Sequence, residues 1–564
     1  MKKPNLLYIL CLFLFLGSCS VNQQTGSEVN EFANAAVVTA NPIASQVGVD
    51  ILRKGGNAVD AAIAVKFALA VVYPNAGNLG GGGFMVYRGK DGSVASLDFR
   101  EKAPASASRD MYLDKEGNPI TDLSLYGQLA SGVPGSVAGM DEAFKKYGSL
   151  KWQELIQPAI ELAEKGFKIT EQQAGEFNRY KERFTRLNPK GAAIIKEQTW
   201  KAGDLFVQQD LAETLKRIAA QGRDGFYKGR TADLIVEEMK SGNGIITHQD
   251  LADYQAIWRN PIVGTYKNYK VISMPPPSSG GVALMALLQS VEKYPLSKWG
   301  FQHDSTVRAM VEAERRVYAD RATHLGDPDF YKVPVEFLND AKFNQDRMAK
   351  VSLSKATPSD LIKAAKFPGY ESEETTHYSI VDKDGNAVSL TTTINGSYGS
   401  CVWVAGAGFL LNNEMDDFSV KPGSPNMYGL LGGKANAIAP GKRMLSAMTP
   451  TIIEENGKLR MVVGTPGGST IITSVFQTIL NVLEFDMTAQ ESVSAARFHH
   501  QWKPDVIDVE AKAIDSLTRV SLTKDGYKLN KRGAIGRVEN IVILPNGKKQ
   551  TGADPRGDDK AAGY

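Results

Sequence analysis

The sequence predicts an α+β fold, with layers of sheet covered by helices. Three observations carry that reading. From about Trp152 to Lys350 the pattern is mostly helical. After Lys350 come three turn-centred hairpin signals, Asp384-Gly385, Asn456-Gly457 and Asn546-Gly547. Helical stretches Ile471–Leu483 and Ala489–Ala496 fall between the last two. At 564 residues the chain is long enough for one large domain or two.

Taken in order, the first residues are not fold. Lys2-Lys3 precedes an apolar run, Leu6–Leu16, too short for a membrane-spanning helix. It ends in Leu16-Gly17-Ser18-Cys19, which resembles the bacterial lipoprotein cleavage box. An ordinary secretory signal with an incidental cysteine competes, but small residues directly before Cys19 favour the lipoprotein reading. Residues 1–18 are then a signal peptide, and the Cys19 thiol carries lipid. Several acyl chains anchor stably where one is marginal. Residues 19–35, polar and aperiodic, read as a flexible tether. The expectation is an exported protein, lipid-anchored at the bacterial cell envelope and facing the periplasm, touching the membrane through that anchor only. Of the three cysteines, Cys11 leaves with the signal and Cys19 is lipidated, so Cys401 has no partner for a disulfide.

Ser45–Lys54 and Ala58–Ala70 read as helices separated by Gly55-Gly56, with Asn57 as a cap. Leu79-Gly80-Gly81-Gly82-Gly83 leads into a strand, Phe84–Tyr87, paired through Asp91-Gly92 with Val94–Phe99. The glycine run opens a strand and lacks a following Gly-Lys-Ser/Thr, which argues against a phosphate loop. Pro275–Gly281 interrupts the helical middle, and Phe367–Glu374 is an acidic, aperiodic linker. The net charge is only +3 and no Lys/Arg block stands out, so nucleic acid is not an expected partner.

Six histidines are present, none in a metal-binding helix motif. Side chains of the adjacent His499 and His500 diverge, and packing or surface roles are expected for all six. Cys401 has no basic residue beside it in sequence to lower its pKa. What remains is Glu374-Thr375, where the linker runs straight into a strand beginning with a hydroxyl residue. A threonine hydroxyl needs a base, and a free α-amine on the same residue supplies one. Thr375 and Thr393 lie equally far from Asp384, so the hairpin sets them side by side. Read alone, a Thr-rich strand reflects β-propensity first. Gly464–Ser469, following a strand and opening a helix, offers backbone N–H groups to an oxyanion, and a purely structural turn competes evenly.

At these residues a resemblance enters. Thr375-Thr376-His377-Tyr378-Ser379, Asp384–Val388, Thr391-Thr392-Thr393-Ile394-Asn395 and Leu411–Phe418 resemble the small subunit of gamma-glutamyltransferase. So do Met448–Thr451, Pro466-Gly467-Gly468-Ser469, Arg497–Trp502 and Asp554-Pro555-Arg556. In the first half the likeness covers Ala44–Gln46 through Asp60–Ala62, Gly77–Met85 and Pro275–Gly281, so nearly everything beyond the tether is included.

The resemblance implies the four-layer αββα sandwich of N-terminal-nucleophile hydrolases. It also implies a precursor that cuts itself between Glu374 and Thr375. The large subunit, 36–374, and the small catalytic subunit, 375–564, then stay together as a heterodimer. Thr375 is implied as nucleophile, Thr393 as its support, and Gly467 and Gly468 as the oxyanion hole. For the gamma-glutamyl group, Arg100 and Ser446 match residues holding the α-carboxylate, and Asn395, Glu414 and Asp417 those gathering the α-amine. Ala447 stands where the family's second serine is usual, so one hydroxyl contact implied by the resemblance is absent. Pro422–Gly433, with Tyr428, resembles a lid. The implied substrates are glutathione and other gamma-glutamyl compounds, with water, amino acids or peptides as acceptors and no metal or organic cofactor. A cephalosporin-acylase-like amidase on the same fold, or a lipoprotein that binds amino compounds without turnover, are the alternatives.

Overall fold

The hairpin signals resolve into two seven-stranded antiparallel sheets in the computed structural model, which describes residues 30–362, 375–421 and 434–564. The first sheet runs Lys560–Gly563, Ala36–Thr39, Thr376–Val381, Ala387–Thr393, Gly82–Arg88, Val94–Asp98, Ile257–Arg259. The second runs Glu31–Phe32, Lys549–Ala553, Glu539–Ile543, Lys458–Gly464, Thr451–Glu455, Tyr269–Ser273, Ile262–Tyr266. Four strands position the site: Gly82–Arg88 (β1), Thr376–Val381 (β2), Ala387–Thr393 (β3) and Lys458–Gly464 (β4). The expected turns at Asp91-Gly92, Asp384-Gly385, Asn456-Gly457 and Asn546-Gly547 each close a hairpin.

Five helices matter here: Pro42–Arg53 (α1), Ala58–Val72 (α2), Glu171–Leu187 (α3), Gly280–Val291 (α4) and Thr470–Leu483 (α5). Asn41 caps α1 by accepting from the Ile43 N–H, and Asn57 and Asp60 form a reciprocal capping box on α2. Every residue of α2 is buried, so it is hydrophobic nearly all round rather than along one stripe. α1 and α2 lie over the first sheet, α4 and α5 over the second, and the sheets face each other. The result is four layers, αββα.

The sequence pattern puts helices mostly before Lys350 and, apart from the hairpin Phe84–Phe99, strands after it, yet each sheet draws further strands from before that point. One reason is the hairpin Ile262–Ser273, which turns at Lys267-Asn268 without glycine, Lys267 taking φ +51° itself. The expected tether also ends early. Glu31–Phe32 pairs with Lys549–Ala553, Ala35 is fully buried, and the Asn34 N–H donates to the Tyr564 carbonyl. Backbone contacts make this edge, so its polar side chains conceal it. The expected signal peptide, Cys19, most of the expected tether, Glu374 with the expected linker, and the segment 422–433 with Tyr428 that resembles a lid lie outside the described residues. Among those described, no helix is long and apolar enough to cross a membrane.

With both faces of the first sheet covered, β2 is buried throughout, and its period of two sorts the side chains. Tyr378 faces α2 and donates to the Ala62 carbonyl. Ser379 faces the second sheet and donates to the Glu539 carbonyl, 3.1 Å away. By the same alternation His377 and Thr375 look between the sheets.

Candidate active site

β2 and β3 pair Thr376 with Thr392 and continue to Val381 with Ala387. One step further sets Thr375 opposite Thr393, as the hairpin arithmetic requires. Both are buried, Thr375 at 8% exposure and Thr393 at 1%. The Thr393 hydroxyl oxygen accepts the Asn395 N–H at 2.7 Å, which fixes its rotamer. Next along β2, His377 pairs with the Thr391 and Ser379 hydroxyls at 2.9 and 3.0 Å, and burial pushes its imidazole down to about 3. Its neutral ring packs on Gly464, where an added Cβ would lie 2.3 Å from the ring.

β4 ends at that Gly464, which packs on His377, two residues along β2 from Thr375. The chain then turns through Gly467 (φ +132°) and Gly468 (φ +56°) into α5. Both angles favour glycine, and a Cβ on Gly467 would meet the Thr470 hydroxyl at 2.7 Å. N–H groups at a helix start have no intrahelical acceptor, so this turn can receive an oxyanion.

A charged cluster sits against this core. Arg100 is buried and its guanidinium pairs with Glu414 and Asp417, with Glu101 at 3.6 Å. It also donates to the Met444 and Leu445 carbonyls, at 3.3 and 3.0 Å, which brings the neighbouring Ser446 to the same place. Burial works against the guanidinium charge, but Glu414, Asp417 and Glu101 outweigh it and raise its pKa. Burial likewise pushes the Glu414 carboxyl well above its usual range, and Glu101 up to about 7 against the pull of Arg100. Among the described residues, neither Glu101 oxygen nor Glu414 Oε2 accepts a hydrogen bond. The Asn412 side chain holds the acidic turn Glu414–Asp417, accepting from the Glu414 N–H and donating to Gly80 and Gly132 carbonyls. Asn395 joins it by donating to the Asn413 carbonyl at 3.0 Å.

The gamma-glutamyltranspeptidase family model matches residues 44–564. This chain belongs to that family. The glutathione hydrolase proenzyme of Escherichia coli (strain K12) is 47% identical over 531 residues, covering 94% of this chain and 91% of its own. Among solved structures, cephalosporin acylase from Bacillus halodurans has a TM-score of 0.84 at 27% identity, covering 98% of this chain and 99% of that one. Helicobacter pylori gamma-glutamyltranspeptidase has a TM-score of 0.57 at 45% identity, covering 60% of this chain and 96% of that one.

In this member of the family the fold brings Arg100, Glu414 and Asp417 into one cluster, joins Asn395 to it through the Asn413 carbonyl, sets Ser446 next in the chain to Leu445, whose carbonyl Arg100 grips, and aligns Thr375 with Thr393. In this structure Arg100 pairs with Glu414 and Asp417 themselves. Ala447 is buried in the second core beside Ser446. Cys401 does have basic neighbours, Arg183 and Arg186, brought by α3 from far away in sequence. Burial still pushes its thiol up to about 11, so it remains no nucleophile. His499 and His500 diverge as expected, toward Thr473 and Asp505 respectively. Among the described residues no group of three His, Cys, Asp or Glu could hold a metal ion.

Sequence reasoning missed Lys66, Asn78 and Glu101. Lys66 is fully buried in α2, donates to the Asn78 carbonyl at 2.6 Å, and is pushed down to about 7 by burial. Asn78 in turn donates to the Thr393 carbonyl at 2.9 Å. A lysine in so apolar a helix was the available signal.

Proposed function

We propose that this protein is a gamma-glutamyltransferase and glutathione hydrolase with Thr375 as nucleophile. The observation that carries the reading is the buried cluster of Arg100 with Glu414 and Asp417, joined through Asn413 and Asn395 to Thr393, the cross-strand neighbour of Thr375. An amino-acid zwitterion entering it exchanges the internal pairing of Arg100 with Glu414 and Asp417 for complementary contacts, its carboxylate to Arg100 and Ser446, its ammonium to Asn395, Glu414 and Asp417. The Glu101 oxygens and Glu414 Oε2, which accept no hydrogen bond among the described residues, suit an ammonium group. The similarity to glutathione hydrolase proenzymes points the same way.

Chemistry follows from the placement. Cleavage before Thr375 frees its α-amine, whose unperturbed pKa of about 7.7–8.0 makes it a usable base near neutral pH. The Thr375 hydroxyl adds to the gamma-glutamyl carbonyl, its proton passing to that amine. Negative charge on the carbonyl oxygen falls to the Gly467 and Gly468 N–H groups. The proton then goes to the departing nitrogen as the C–N bond breaks, leaving cysteinylglycine free and a threonyl ester. Water or an acceptor amine attacks the ester and restores the hydroxyl. Incubation with glutathione should release glutamate, and Thr375→Ala should abolish it; equal release by the variant would remove Thr375 from the mechanism.

A second reading, an acylase acting on another amide, is favoured by the likeness to cephalosporin acylase. A panel of gamma-glutamyl and cephalosporin side-chain amides separates the two. The same proposal has the protein exported and held at the cell envelope by lipid on Cys19, supported by Leu16-Gly17-Ser18-Cys19. Cys19→Ala should move it from the membrane fraction to the soluble one.

A further inference from the structure

One face of α3 carries Arg179, Arg183 and Arg186, spaced so that all three project to the same side. They line a cleft of about 570 Å³ with Tyr180, Glu182 and Ser397. The Arg183 guanidinium lies over the Tyr126 ring at 4.1 Å, and Arg179 lies over Tyr180 at 5.4 Å, so aromatic rings hold two of the cations in place. Acidic groups nearby are few: Glu182 on the cleft wall, and Glu176, 4.0 Å from Arg179. Cys401, beside Arg183, stays a neutral thiol and adds no negative charge. Like charges stacked along a helix face repel, so this face is built at a cost that a docked anion would relieve.

The position of the cleft gives the anion an identity. Its wall residue Ser397 is four residues beyond Thr393, a distance of at most about 14 Å along the chain. The segment is folded back rather than extended: Asn395 and Tyr398 both have φ +65°, and the Gly399 N–H donates to the Gly396 carbonyl at 2.7 Å. A dipeptide leaving group extends roughly 7 Å from the scissile nitrogen to its terminal carboxylate. An arginine side chain covers the rest.

We infer that this arginine-lined cleft receives the C-terminal carboxylate of the peptide leaving group, and later that of a peptide acceptor. The inference rests on the gamma-glutamyl reading above and extends its donor pocket outward. It gives Arg179, Arg183 and Arg186 a part in choosing between peptides and uncharged amines, away from the reacting atoms.

The test compares kcat/KM for glutathione with that for its C-terminal amide, which has the same gamma-glutamyl bond. The wild-type enzyme should prefer the free acid by about two- to fivefold, the range for exposed ion pairs, and less at high salt. Arg186→Gln and Arg179→Gln, both at exposed positions, should each shrink that preference, and Arg186→Lys should retain most of it. The double variant Arg183→Gln/Arg186→Gln should bring the ratio near one. A wild-type ratio of one, or a preference unchanged in every variant, overturns the subsite while leaving the donor pocket intact. Turnover of neither compound by the wild type sinks the donor reading itself, and this inference with it.

Discussion

A guanidinium buried beside three carboxylates cannot be removed without consequence for all of them. Arg100→Met would leave Glu101, Glu414 and Asp417 in one dry pocket with their cation gone. Breaking a buried pair from one side costs about 3–5 kcal/mol, because a charge is left uncompensated. Thermal melts of Arg100→Met should therefore show a clear loss of stability alongside lost turnover, and Arg100→Lys should recover stability better than activity. A variant as stable as the wild type would mean the acids had never been charged together. That Arg100, Glu414 and Asp417 come together, and that Thr375 lies opposite Thr393, was expected from motif resemblance and hairpin register. Lys66 and Glu101 were not legible, since a lone lysine and a glutamate carry no pattern until α2 packs over the glycine run.

Element geometry explains why the hairpins were readable. Asp-Gly and Asn-Gly turns announce themselves, and the turn at Asp384 fixes the register that aligns Thr375 with Thr393. The hairpin Ile262–Ser273 was missed because Lys267 adopts a left-handed angle that glycine usually takes. The turn after β4 was legible as a strand-to-helix junction, but whether it served an oxyanion was not, because a purely structural turn has the same sequence. Substitution there is informative. Gly467→Ala puts a methyl group 2.7 Å from the Thr470 hydroxyl at φ +132°, so the turn must shift. Displacing oxyanion donors should lower kcat of the processed enzyme by about 100-fold or more with KM less affected. Steady-state kinetics check this, and an unchanged kcat would take the turn out of the chemistry.

At the scale of the molecule, the layers could be inferred from the mix of elements, whereas the sharing of each sheet between both halves of the chain could not. Long-range pairing leaves no local signature. Burial between those layers also sets a pH response. His377, His499 and His500 are pushed down by burial to about 3, 3 and 4. The unfolded chain therefore takes up protons first: their contribution is whole above pH about 6.5 and lost as pH falls toward the folded values. His500→Gln should flatten the dependence of unfolding free energy on pH between 6 and 4.5 by about 1 kcal/mol per pH unit. Denaturant melts across that range measure it, and parallel slopes would mean His500 is charged when folded.

The central claim is that one precursor becomes two subunits and that the new N-terminus is the catalyst. Mass spectrometry of the purified, active protein tests it most directly. The account predicts a fragment running from Thr375 to Tyr564, accompanied by its larger partner, and a single uncut chain in Thr375→Ala. A wild-type chain that stays whole yet still releases glutamate from glutathione would contradict it.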